Sequence, residues 1–128
     1  MTTRGIRGAT TIVSDTQENV LSATRELLNA IMTSNPDLKT DAIASAFFTV
    51  TDEIGSAYPA LAARQMDWDQ VPLMCAREIP VAGSLPLCIR VLILWNTSKT
   101  QKAIKHVYLR GAMKLRPDLV NEPLEKPQ

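Results

Sequence analysis

The residues in this chain best suited to chemistry are arginines set among apolar neighbours. Arg4 and Arg7 stand in RGIRGATT, two Arg-Gly pairs three residues apart that run into Ile12-Val13. Arg90 interrupts CIRVLILW, the most hydrophobic stretch of the sequence and one expected to be buried on both faces. A guanidinium keeps its proton at any working pH, so an arginine in such a strand needs an anion beside it. Two kinds of partner suit Arg90: a structural carboxylate, Glu78 or Asp67, or the carboxylate of a bound ligand. Arg7 poses the same question in the first strand. Strand alternation puts Arg4 and Arg7 on opposite faces unless Gly5 or Gly8 introduces a bulge.

Few other groups offer catalysis. The sequence holds no Gly-rich phosphate loop, GxSxG elbow, HExxH or EF-hand pattern. His106, the single histidine, has no companions at metal-ligand spacing, so no metal is expected. Nothing local supports Cys75 and His106 as a nucleophilic pair. Cys75 and Cys88 form no CxxC motif and are expected as buried, reduced thiols. Convergent guanidinium groups with one phenol and one carboxylate, and no acid–base apparatus, suit a small dianionic ligand. From the residues alone, this is a carboxylate-binding site of unspecified chemistry.

The elements that must hold these groups are legible in outline. A length of 128 residues is one domain with a core of its own. A net charge of +1 gives no field to hold a polyanion, and the aromatics are scattered rather than arranged as base-stacking platforms. Nucleic acid is therefore not an expected partner. No segment reaches the ~20 apolar residues that cross a bilayer, and no leader pattern opens the chain. A cytoplasmic protein is expected.

Residues 3–13 read as a strand. Asp15 with Glu18 resembles a capping box, and the apolar spacing from Val20 to Met32 predicts an amphipathic helix that Asn35-Pro36 ends. Residues 43–51 read as a strand, and Pro59 opens a short helix. Strands follow at 71–76, 88–97 and 107–115. On the last of these, His106, Tyr108, Arg110, Lys114 and Arg116 share one parity. The order β-α-β-α-β-β-β predicts an α+β or α/β domain with a mixed sheet. The domain is expected over residues 1–119, with a flexible Pro- and Glu-containing tail at 120–128.

Taken together, the motifs RGIRGATT, CAREIPVAGSLPLCIRVLILWNT, HVYL and LRPDL resemble the monofunctional AroH-class chorismate mutases, in register over residues 4–119. The resemblance implies an α+β homotrimer of pseudo α/β-barrel appearance, with active sites in clefts between subunits. It implies the pericyclic rearrangement of chorismate to prephenate in aromatic amino-acid biosynthesis, a reaction needing no cofactor, metal, nucleophile or proton transfer.

Carried over position by position, the resemblance makes Arg90 the donor to the ether oxygen and to a carboxylate. Arg7 holds a carboxylate with Tyr108 nearby, and Glu78 accepts from the ring hydroxyl beside Cys75. Tyr58, Ala60 and Arg64 line the pocket, and Leu115 and Arg116 close it. On this view the glycines around Arg7 let backbone and substrate approach. Leu61 stands where the best-known members of that family carry a lysine, and Met74 replaces a small polar residue beside Cys75. Two other functions suit the same arginines: a trimeric carboxylate-binding regulatory protein, and an imine-deaminase-like enzyme with an intersubunit site.

Overall fold

A ten-residue strand, β1 (Thr2–Thr11), opens the chain and lies beside the central strand of the sheet described below. The computed structural model describes residues 1–119; the expected tail, 120–128, lies outside the described residues. After β1 come α1 (Gln17–Ser34), β2 (Ile43–Val50), α2 (Pro59–Gln65), β3 (Leu73–Arg77), β4 (Cys88–Thr97) and the two-residue β5 (Val107–Tyr108). The five strands form one sheet in the order β3-β2-β4-β1-β5. β4 runs antiparallel to both β1 and β2, whereas the β2–β3 and β1–β5 pairs are parallel. The mixed α+β sheet read from the sequence is what forms.

The helices cover one face. Ile6, Phe48, Val91, Ile93 and Trp95 point toward Leu27, Leu28 and Ile31 of α1 and Ala60 and Ala63 of α2, with Trp68 closing the core. Gly8 explains how α1 comes so near: a Cβ there would lie 2.8 Å from Ile31 Cδ1. The bare position serves helix packing, and only the backbone of Gly8 borders the ligand-facing side.

Three local expectations are corrected. Thr16, not Asp15, caps α1, its hydroxyl accepting from Asn19 N at 3.0 Å. Asp15 instead accepts from Gly55 N, Ser56 N and Ser56 Oγ at 3.0, 3.1 and 2.7 Å, tying the start of α1 to the loop before α2.

β4 is buried on one face rather than two: Ile89, Val91, Ile93 and Trp95 are covered, while Arg90 and Leu92 are exposed. Hydrophobic residues on both parities had suggested double burial. Among the described residues, however, the sheet has only one helical layer.

The last strand stops at Tyr108 instead of reaching residue 115. Arg110 adopts φ 54° and Gly111 N donates to Thr11 Oγ1 at 3.0 Å, which turns the chain out of the sheet into a 3-10 segment at Arg110–Lys114. The common parity of Arg110, Lys114 and Arg116 therefore has no strand to act on. A short 3-10 turn at Pro117–Leu119 follows, so order continues to the end of the described chain.

One buried group is left over. Thr10 Oγ1 is fully enclosed on the helix side and has no hydrogen-bond partner. An unpaired buried hydroxyl carries its desolvation penalty uncompensated. Thr10→Val is expected to raise stability by about 1 kcal/mol, seen as a higher urea midpoint at unchanged slope. A lower midpoint would show that the hydroxyl is bonded.

Candidate active site

Register brings the chemical groups onto the uncovered face of the sheet. Tyr108 pairs with Ala9, Ala9 with Arg90, Arg90 with Thr49, and Thr49 with Ala76, one row across all five strands. The adjacent row runs Arg7–Leu92–Phe47–Met74. Glu78 follows β3, held by a bond from its own N to Val50 O at 2.9 Å. Ala9 and Ala76 are the small members of this row.

Arg7, Thr49, Glu78, Arg90 and Tyr108 line one open cleft of about 340 Å³, floored by Phe47, Val91 and Leu92. Arg90 Nε stands 3.7 Å from Glu78 Oε2 with the two side chains 47% and 30% exposed. The ion pair weighed for Arg90 is thus with Glu78 rather than Asp67. So exposed a pair contributes about 0–1 kcal/mol, and the charge is not there for stability. Arg4, on the opposite parity, donates from Nε to Lys99 O at 3.1 Å.

The neighbouring cations act on two more groups. Burial pushes the Tyr108 phenol above its ordinary range, opposed by Arg7, Arg116 and Arg90, so it remains a protonated donor. His106 is pushed down by burial and by Arg7 and Arg116, and its Nδ1 accepts from Arg7 N at 2.9 Å. This bond fixes the backbone that carries Arg7. Cys88 is buried beside Arg90, and burial raises its thiol further into the neutral form. Cys75 is only half-buried, less enclosed than expected, and both cysteines are free.

Other expected site residues lie elsewhere on the chain. Tyr58 and Cys75 border a second cavity of about 500 Å³ with Gln17, Ser56, Leu61 and Arg77. Ala60 packs into the core beneath α2, and Arg64 is exposed on that helix. Leu115 packs with Tyr108, Cys88 and Ala112 at one end of the open face. Arg116 beyond it is engaged by Asp118 through bonds of 3.1 and 2.8 Å. The loop before Tyr58 is clamped by Arg77, whose Nη1 donates to the carbonyls of Thr51, Asp52 and Ile54 at 3.0, 3.1 and 2.9 Å. Sequence reasoning missed Thr49 and Arg77. Period-two alternation from Phe47 was a signal for Thr49; nothing local marked Arg77.

Comparison with known proteins gives the family. The sequence pattern of the chorismate mutase type I family matches residues 3–119. The chain belongs to that family. It is 53% identical over 116 residues to the chorismate mutase AroH of Thermus thermophilus, covering 91% of this chain and 95% of the relative. It is 40% identical over 120 residues to chorismate mutase AroH of Bacillus subtilis (strain 168), covering 93% and 94%. A solved chorismate mutase from Clostridium thermocellum superposes with a TM-score of 0.83 at 47% identity, over 86% of this chain and 97% of that one. As in the family at large, the chain is an isomerase by membership. Among the described residues no helix is long and apolar enough to cross a membrane, and no three His, Cys, Asp or Glu side chains gather as metal ligands.

Proposed function

We propose that this type I chorismate mutase rearranges chorismate to prephenate in the Arg7–Arg90 cleft, completed by a neighbouring copy in a homotrimer. The observation that carries the reading is the convergence of two guanidinium groups, a protonated phenol and one carboxylate in a single open cleft. Chorismate is a dianion with a ring hydroxyl, and each of its polar groups has a complement there. Arg90 stabilises negative charge gathering on the ether oxygen as the C–O bond lengthens. Arg7 and Tyr108 hold a carboxylate, and Glu78 accepts from the hydroxyl. The bonds broken and formed all belong to the substrate, so the protein orients it and supplies a fixed field.

Two features support a shared cleft. Tyr58 and Cys75 face a different cavity from Arg90 within one chain, so a ligand touching both sets needs two copies. The apolar floor of the cleft also continues from Leu92 and Phe47 to the exposed Met74, a strip of the kind that association covers. Leu115 packs with Tyr108 and the Arg116 charge acts on its phenol, which supports the reading that both close over the ligand. Purified protein incubated with chorismate should remove its ultraviolet absorbance, and sedimentation equilibrium should give three times the 14.1 kDa chain mass. Tight binding of chorismate without turnover favours the regulatory reading. A fully active monomer overturns the shared cleft.

The pH profile tests the absence of proton transfer. Tyr108 is shifted up and His106 down, so both stay uncharged between their unfolded values of about 10 and about 6.5. The expected kcat is flat across roughly pH 6–9. A bell centred near neutrality would assign His106 or Glu78 a proton-transfer role. Stability has matching edges. Below about pH 6.5 the unfolded chain takes up the His106 proton first, so stability falls as pH drops through the lowered folded value. Above about pH 10 the unfolded phenol ionises first, and stability falls as pH rises through the raised Tyr108 value.

A further inference from the structure

Glu78 has its backbone fixed by the bond to Val50 O, but a glutamate side chain has several rotamers open to it. Two groups act on its carboxylate, and both reach the same oxygen. Thr49 Oγ1 donates a hydrogen bond to Oε2, and Arg90 Nε stands 3.7 Å from that atom. The longer separation is outside hydrogen-bond reach. The hydroxyl therefore holds Oε2, while the guanidinium acts on it only through its field. Among the described residues none donates to Oε1. Thr49 is half-buried, lines the cleft, and is the cross-strand neighbour of Arg90.

We infer that Thr49 is a positioning residue for the reaction: its hydroxyl keeps Glu78 off Arg90. A carboxylate and a guanidinium this close otherwise close into a direct, charge-assisted pair. Such a pair satisfies each group with the other before any ligand arrives. With Oε2 occupied by Thr49, the Arg90 donors stay available to an anionic ligand and Oε1 is presented to a ligand hydroxyl. Alternation places the threonine on this face, and register sets it opposite Arg90. Serine supplies the same hydroxyl; valine keeps the shape and removes it.

The inference rests on the chorismate mutase reading, and kinetics on three proteins separate the two. Wild-type protein that leaves chorismate unchanged overturns the reading itself. With wild-type turnover established, T49V is expected to lose about ten- to hundredfold in kcat/KM, the range for a hydrogen bond to a charged group. Most of the loss should fall on KM, because ligand must first break the Glu78–Arg90 pair. T49S is expected within about threefold of wild type, the hydroxyl being restored, and the melting temperature of T49V should barely change, since valine suits a strand. T49V within twofold of wild type overturns the assignment. So does T49S as impaired as T49V, or a loss of activity that follows a matching fall in melting temperature.

Discussion

Replacing Arg90 with citrulline is expected to lower kcat by about 10²–10³, roughly 3–4 kcal/mol of barrier, the cost of losing one preorganised oxyanion donor. Citrulline keeps the planar shape and some N–H groups while deleting the charge. The ether oxygen gains negative charge only as the bond breaks, so a fixed cation there favours the transition state over the bound substrate. A fold effect should be small. The Arg90–Glu78 pair is 47% and 30% exposed, and such pairs contribute at most about 1 kcal/mol. Lysine should restore little, because a point charge cannot span ether oxygen and carboxylate as a planar fork does. Measuring kcat and melting temperature on the same variant decides the matter. A collapse in stability with kcat within tenfold, about 1.4 kcal/mol, would make Arg90 part of the scaffold.

The second large effect is expected at Gly8, the residue that follows Arg7 in the RGIRGATT motif. Gly8→Val should cost about 3 kcal/mol, the upper part of the range for overpacking a core. A Cβ at this position meets Ile31 Cδ1 at 2.8 Å, Val91 Cγ1 at 3.1 Å and Leu27 Cδ1 at 3.3 Å. Alanine gains about 0.5–1 kcal/mol over glycine from backbone entropy. Those three atoms are the ends of movable side chains, so Gly8→Ala is the milder change, while the two branches of valine leave α1 no way to stay seated. Gly5→Ala is the control, since its nearest neighbour, Leu92 Cδ1, lies at an ordinary 3.4 Å. Urea denaturation should give a much lower midpoint for Gly8→Val and a near-native one for Gly5→Ala. Equal midpoints would mean that α1 does not pack on Gly8.

Local signals told the truth about the elements where one interaction dominates. Pro59 opens α2 because a proline at the first helical position loses no bond, and the apolar run 88–97 is a strand from end to end. They failed where two local choices were equally good. Asp15 and Thr16 both suit a cap, and the loop at Gly55-Ser56, distant in sequence, claimed the aspartate. The residues 107–115 alternate like a strand, yet β5 ends at Tyr108 because Gly111 meets Thr11 and Arg110 turns at positive φ. Likewise Arg90 was read as buried from its neighbours' hydrophobicity. Whether a second layer covers a sheet is a property of the assembly of elements and not of one strand.

By itself the sequence determined the secondary-structure order, the mixed sheet, the family, and the identity of the arginines, since residue type, periodicity and separated motifs are all written along the chain. Only the tertiary structure decided which groups meet. Arg90 faces Thr49 on one side and Ala9 on the other because β4 pairs antiparallel with both β2 and β1 at one particular register, and a slip of one residue would turn Arg90 into the helix-covered core. Cys75 and Glu78, three residues apart in sequence, border different cavities. Pairing between strands some forty and eighty residues apart is a long-range choice, fixed by burying Ile6, Phe48, Val91 and Ile93 together beneath α1.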